Sequence, residues 1–463
     1  MDHHGGYGVV STIGLKVPSG VTLLGSGYPG RLIPVGAGAT GSRMIQNANS
    51  GAGGDTNITL CNLYIDGGGT ASTDYGCIRI DCAVEFHNQQ IRIEDCTVVD
   101  WPGAVITLVN THGFSVSRNV IANPNRGGII CRLDTAYGVI AGNVVMDGKD
   151  DCIAVLANSS PTASGTWNAP TEISIVANTV SEAASGPHTK SGSNNGIAVH
   201  GLTDSTIVAN TIRGAGSSSA AVNKANIAII DADPDLNGTT FYPKQLLVAG
   251  NRLKSSYFHG VFLSSDGAED ITIRDNMISS PRWEGISLQT SSATALMRNI
   301  VIAANDIVDA GSDDTAFDRD GIRCQSTAAG GRIEGLYIND NRIARAASYA
   351  VNVMSLADIT FAAVNRNVIH NANYWSSSST NDAIRLQGIK RFQVLDNEIT
   401  DERVIDSPGG QHPYRPRYGV NIRSGDLGHV GRLFILAENF RSAPLKIDPS
   451  VTKTTNVGDH KTT

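Results

Sequence analysis

No stretch of the chain carries a sustained 3.6-residue apolar pattern, which argues against long amphipathic helices. No apolar run is long enough to cross a membrane. Basic residues are outnumbered, 36 Lys and Arg against 43 Asp and Glu, so there is no basic stripe to hold nucleic acid. Neither nucleic acid nor a membrane is therefore expected as a partner. The opening residues, M-D-H-H-G-G-Y-G, lack the apolar segment of a signal peptide. The seven cysteines (Cys61, Cys77, Cys82, Cys96, Cys131, Cys152 and Cys324) are odd in number, and their spacing fits no metal motif. Cys131 and Cys324 fall at inward strand positions and read as buried thiols. A Cys77–Cys82 bridge stays open, and the set leaves the compartment undecided. Aromatics are few, whereas Gly is frequent at 50 residues, a balance that suits a chain of many tight corners.

What the chain does have is a repeated phrase: an alternating apolar run, two residues, Asn, and another apolar pair. It reads I-T-L-C-N-L-Y-I at Asn62, F-S-V-S-R-N-V-I at Asn119, I-S-I-V-A-N-T-V at Asn178 and I-T-I-R-D-N-M-I at Asn276. Asp95, Asn143, Asn210, Asn251, Asn305, Asn341, Asn367, Asn397 and Asn439 continue the series, with a mean period of about 31 residues. Each repeat also holds a small or polar residue before a second short strand, as in D-C-I-A-V from Asp151, E-G-I-S-L from Glu284 and D-G-I-R-C from Asp320. Both strands alternate with period two, so each buries one face. One such unit cannot cover its own apolar face, but stacked units can. The expected fold is all-β, a single-stranded parallel β-helix of about thirteen coils. Residues 1–445 form one domain in this reading, and 446–463 a polar tail. The Asn residues read as an internal ladder without a catalytic role.

This pattern resembles the right-handed, pectin-lyase-like β-helix superfamily over roughly residues 10–445. The opening L-K-V-P-S-G-V-T-L-L-G-S-G (Leu15–Gly27) is similar to the first coil of that family. Right-handedness is what the resemblance implies, as is an extracellular protein or one at a phage or cell surface. Members often begin with a capping helix, and none is visible here. Either the chain has been shortened or its open end is covered by another chain.

Aligning the second strands on their first apolar residue and reading two positions earlier gives a line down the stack. It runs Gly76, Gly103, Gly127, Asp151, Asn195, Ala225, His259, Glu284, Asp320, Tyr349, Asp382, Tyr418. Neighbours in this line should have backbones about 5 Å apart. Two carboxylates that close do not both ionise freely, so one pKa should rise. An acid beside an ionised carboxylate is the pairing that glycoside hydrolysis uses. Glu284 and Asp320 are therefore candidate catalytic groups, with His259 tuning them. Trp283, Tyr257 and Tyr349 are candidate sugar contacts. Arg282, Arg319 and Arg323 suit a carboxylated sugar, and Asp318 and Asp382 complete the substrate set. The acid-rich Asp313–Asp320 run could contribute to substrate or Ca²⁺. A structural reading stands beside this one, because polar residues at β-helix corners also cap backbone groups.

A second candidate is D-G-K-D-D-C-I-A-V, Asp147–Val155. Its D-D-C-I-A portion resembles the paired-Asp motif of polygalacturonase-type glycoside hydrolases, with Asp150 and Asp151 at the matching positions. The family's third Asp is absent from R-G-G-I (Arg126–Ile129), and its His from N-N-G-I (Asn194–Ile197). A structural corner is the alternative for this pair too.

Long insertions before and after the second strand could wall a groove. Trp167, Phe241, Tyr242, Tyr374, Trp375 and Tyr414 lie on them as sugar platforms or as packing. Three functions remain open. One is a polysaccharide or oligosaccharide hydrolase using no cofactor. Another is a lyase or C5-epimerase on a uronate polymer, for which Ca²⁺ would be expected. The last is a tailspike- or adhesin-like glycan-binding solenoid, expected as a homotrimer.

Overall fold

The computed structural model describes residues 7–9, 13–26, 32–34, 43–68, 76–83, 85–157, 168–181, 195–215, 224–232, 240–311, 319–326, 330–374, 381–402, 416–431, 434–435, 443–447 and 453–457. Among the described residues there are strands, turns and bends and no helix. The chain divides into two compact units, Met1–Lys224 with Ile230–Leu246, and Ala225–Ile229 with Leu247–Thr463. Both are stacks of parallel coils, the parallel β-helix that the repeat predicts.

In the first unit the coil around Asn143 supplies three strands, Ala136–Ala141, Val144–Met146 and Ile153–Leu156. Each pairs in parallel with its counterparts on the coils before and after. The alternation read from the sequence sets which side faces in: in Thr171–Val176, Ile173 and Ile175 are fully buried and Glu172 is exposed. Each buried Ile contributes roughly 1.5–3 kcal/mol over its exposed state, and the stack repeats that gain coil by coil.

The Asn ladder is present in both units. Backbone N and Nδ2 of Asn119 both donate to Oδ1 of Asn143, at 3.0 and 2.9 Å. Asn143 does the same to Asn178, and Asn178 to Asn210. Each Nδ2 also reaches back to a carbonyl, as Asn143 does to Val116 O at 2.8 Å. The second unit repeats the chain from Asn251 through Asn276, Asn305, Asn341 and Asn367 to Asn397.

Two members of the expected series stand one position off. Asn62 and Asp95 adopt positive φ, 55° and 56°, at the corner that Arg118, Ala177 and Asp275 occupy on other coils. Their ladder places go to Leu63 and Cys96, and the Cys96 backbone N donates to Asn119 Oδ1 at 3.0 Å. The reason is chemical: Asn and Asp tolerate the left-handed conformation better than most residues, so an Asn next to the turn serves either place. Asn439 lies outside the described residues.

The second strands of the second unit align as the sequence predicts. Val261, Ile286, Ile322, Val351, Ile384 and Val420 form one fully buried column. In the first unit the line needs one correction. Ile106, not Val105, pairs with Ile78 and Ile129, so Ala104 rather than Gly103 belongs to it. Val105 is itself fully buried, and starting the strand at the first apolar residue therefore started it one too early. All seven cysteines are free, and Cys131 and Cys324 are buried as expected, so no Cys77–Cys82 bridge forms. Within the stretch read as a polar tail, Lys453–Val457 is a strand paired with Leu427–Gly431.

Candidate functional site

His259 opens the strand His259–Ser264, while Glu284 and Asp320 each sit two residues before the first core Ile of theirs. The parallel register brings the three onto successive coils of the second unit. His259 Nδ1 lies 2.9 Å from Glu284 Oε2. The imidazole stacks on Phe262 at 4.7 Å and meets the edge of Trp283 at 5.4 Å. On the other carboxylate oxygen, Glu284 Oε1, Arg323 Nη1 donates at 3.3 Å and Arg319 Nη1 lies at 3.8 Å.

The two carboxyl groups are driven apart. Burial alone would raise Glu284, but His259 and then Arg323 and Arg319 outweigh it and hold the carboxyl at about 2. Asp320 is pushed the other way, to about 7. Burial is the main cause; Arg323 opposes it, and the Glu284 charge adds to the rise. Asp320 Oδ1 accepts the backbone N–H of Tyr349 at 3.2 Å, and Oδ2 accepts from Asn352 Nδ2 at 2.8 Å. Glu284 is 2% exposed and Asp320 1%, whereas the Arg323 side chain is 24% exposed. Arg323 is thus the member of the group that meets solvent most.

The remaining predicted contacts divide. The Arg319 guanidinium lies 3.7 Å over the Trp283 ring, and Phe258 meets the same ring edge-on at 4.6 Å. One face of Trp283 is therefore already covered. Arg282 stacks on Tyr257 at 4.5 Å. Tyr349 contacts Arg385, whose Nη1 lies 3.5 Å from its hydroxyl, and burial raises its pKa. Asp382 is fully buried; Arg417 donates to both its oxygens at 3.2 and 3.3 Å, and Asn421 Nδ2 donates at 2.6 Å. Asp313 to Asp318, with Phe317, lie outside the described residues, as do Trp167, Trp375 and Tyr414. Phe241 packs against Val109 and Leu133 of its own unit.

The sequence reading passed over one row. One residue beyond each core position, the second unit presents Phe262, Ser287, Arg323, Asn352, Arg385 and Asn421 in register. The same alignment, read one place past the core column, contains the signal. It places Asn352 against Asp320, Asn421 against Asp382, and two arginines on the outward face.

Asp150 and Asp151 belong to the first unit. Asp151 Oδ1 accepts both the backbone N–H and the side-chain amide of Asn195, at 3.1 and 2.9 Å, and Asp150 Oδ1 accepts the Asp151 N–H at 3.0 Å. Burial and the neighbouring Asp150 charge raise Asp151. The matching outward row here is Arg79, Thr107, Ile130, Ala154 and Ala198, and next to Asp151 the positions Ile130 and Ala154 form an apolar cluster with Ala104 and Leu156. Asp151 thus caps the next coil, as Asp320 does, but beside an apolar surface.

No protein-family model matches the sequence, and no curated protein sequence matches it. Among solved structures the chain is similar to the catalytic unit of a thermostable GH87 alpha-1,3-glucanase from Streptomyces thermodiastaticus. The two share 14% identity at a TM-score of 0.53, over 88% of this chain and 64% of the glucanase. The chain therefore spans less than two thirds of that structure's length. It is also similar to the A-module of the mannuronan C-5 epimerase AlgE4 from Azotobacter vinelandii, at 13% identity and TM-score 0.43, over 98% of this chain and 88% of the module. PfbA, a surface adhesin of Streptococcus pneumoniae, matches at 10% identity and TM-score 0.43, over 82% of this chain and 84% of the adhesin. The likeness to the glucanase is one of fold, the parallel β-helix.

Proposed function

We propose that the chain is a glycoside hydrolase acting on a polysaccharide or oligosaccharide. Asp320 is its general acid, and Glu284 its ionised nucleophile or base. The observation that carries this reading is the pair itself: two buried carboxyl groups on adjacent coils, one held ionised and the other protonated up to about pH 7. Glycosidic cleavage needs that division, a proton for the leaving oxygen and a negative charge facing the oxocarbenium-like centre. His259 and Arg319 position and charge-stabilise Glu284, while Arg323 is the side chain that a sugar must engage or displace. The polar, arginine-bearing row beside this pair favours it over Asp150 and Asp151, beside which the outward positions Ile130 and Ala154 are apolar. A polysaccharide substrate would place the protein outside the cell or at a surface.

The outward arginines Arg323 and Arg385 favour a second reading, a lyase or C5-epimerase on a uronate polymer, in which they neutralise the sugar carboxylate. In that reading Tyr349 or His259 abstracts the C5 proton, and Ca²⁺ would need other ligands than Glu284, Asp320 and Asp382, which are already held by Arg, His and Asn. A screen of neutral and acidic polysaccharides with product mass readout tests both. New reducing ends without ultraviolet absorbance support hydrolysis; unsaturated ends support a lyase. Binding without any product, by a trimer in solution, would favour the adhesin-like reading.

A further inference from the structure

On the N-terminal side of both carboxyl pairs, three consecutive coils of the first unit converge on one point. His87 directly precedes the strand Asn88–Glu94, His112 is the second residue of Thr111–Ser117, and Asp134 stands two residues before Ala136–Ala141. The register pairs Thr111 with Asn88 and His112 with both Gln89 and Ala136. His87 and Asp134 are therefore at the same corner on the outer two coils, with His112 reaching in from the coil between. His87 Nε2 lies 3.2 Å from Asp134 Oδ2, and His112 Nε2 lies 3.2 Å from Asp134 Oδ1. One atom from each residue lies within 4.8 Å of the other two.

We infer that His87, His112 and Asp134 form a binding site for a divalent transition-metal ion of the zinc class. The donor set is two imidazole nitrogens and one carboxylate oxygen, the chemistry that zinc and its neighbours take, and not the all-oxygen set of Ca²⁺ or Mg²⁺. The spacing fits as well. One donor atom from each residue lies within 4.8 Å of the other two, and each Nε2 faces its own oxygen of Asp134 at 3.2 Å, so the three can contract onto one ion with ligand distances of about 2.0–2.1 Å. Asn168 Nδ2 donates to Asp134 Oδ2 at 2.9 Å and so orients the carboxylate from outside the cluster, as the outer partners of metal ligands do. The imidazoles stack at 3.8 Å, and the edge of Tyr137 packs on His112 at 5.6 Å. Their side chains remain 30% and 25% exposed, while that of Asp134 is 11% exposed. The anchor is thus buried and the approach is open, leaving room for water or a ligand in the remaining coordination positions. An ion held there would tie three successive coils together.

The test is equilibrium dialysis of the full chain against Zn²⁺, followed by metal analysis, with Co²⁺ as a spectroscopic substitute. The wild type should retain one equivalent at this site and show the visible bands of low-symmetry Co²⁺. His112→Ala and Asp134→Asn should each lose that equivalent, and Asn168→Ala should weaken binding roughly 10–100-fold. Asp134→Asn is isosteric, so its circular dichroism without metal should match the wild type, while its unfolding temperature falls with loss of the carboxylate that the two imidazoles and Asn168 face. The double variant His3→Ala/His4→Ala removes the histidines at the chain start and should keep the equivalent. Zn²⁺ retention unchanged in both His112→Ala and Asp134→Asn, or no saturable binding by the wild type, would overturn the assignment.

Discussion

Arg323 Nη1 lies 3.3 Å from Glu284 Oε1 on the preceding coil, while the same guanidinium opposes the rise in the Asp320 pKa on its own coil. One partly exposed cation therefore faces two buried acids in opposite protonation states: it helps to ionise Glu284 and only partly offsets the burial that keeps Asp320 protonated.

If that division drives catalysis, Glu284→Gln and Asp320→Asn should each lower turnover by about 10²–10⁴-fold, measured as release of new reducing ends. Removing the Glu284 charge also strands His259 and two arginines, and should cost about 3–5 kcal/mol of stability. Asp320→Asn should cost much less. Full activity in both variants would move the site to Asp150 and Asp151.

Stability should depend on pH in a way traceable to Asp320. Folded, its carboxyl keeps its proton up to about pH 7; unfolded, it ionises from about pH 4. The unfolded state gives up the proton first, so the Asp320 contribution to stability is greatest below pH 4 and falls as pH rises from 4 to 7. Urea denaturation of wild type and Asp320→Asn across that range should show the wild type losing ground to the variant. A constant difference between the two would contradict the raised pKa.

Glu284 predicts the opposite slope. Its folded carboxyl titrates at about 2 against an ordinary 4.5, so its contribution is present above pH 4.5 and disappears as pH falls through 2. The stability difference between wild type and Glu284→Gln should therefore shrink on acidification over that window, which the same denaturation series at low pH reads.

Two asparagines of the repeat should behave differently. Asn143→Ala removes the oxygen that accepts both the backbone and side-chain N–H of Asn119, and should cost about 2–4 kcal/mol. Asn62→Gly sits at an exposed left-handed corner and should change stability by less than about 1 kcal/mol. Comparable losses at both positions would mean that the ladder is not the stabilising element.

The period-two alternation made the coils legible, and the core column from Val261 to Val420 made the register legible. Once the register was known, the neighbourhood of His259, Glu284 and Asp320 followed. What the sequence hid was of two kinds. Asn next to a left-handed turn is chemically suited to either of two adjacent places, so Asn62 and Asp95 read as ladder members when Leu63 and Cys96 hold those positions. The approach of His87 to Asp134 was invisible for another reason. They are two coils apart, and the intervening coil sends His112 to the same corner. Contacts that skip a coil leave no mark in nearest-neighbour spacing.

The ladder also has a direction. From Asn119 to Asn178 each Asn donates its backbone N–H to the Asn of the following coil and accepts at Oδ1 from the preceding one, while Nδ2 also bonds a carbonyl of the preceding coil, so the internal members are interchangeable. At its start it needs only a backbone N–H, which Cys96 supplies without an amide side chain. Removing the segment from one Asn to the next would thus leave each donor facing an equivalent acceptor. Length is something this architecture can change by whole turns, and the coil, rather than the residue, is its natural unit of insertion and loss.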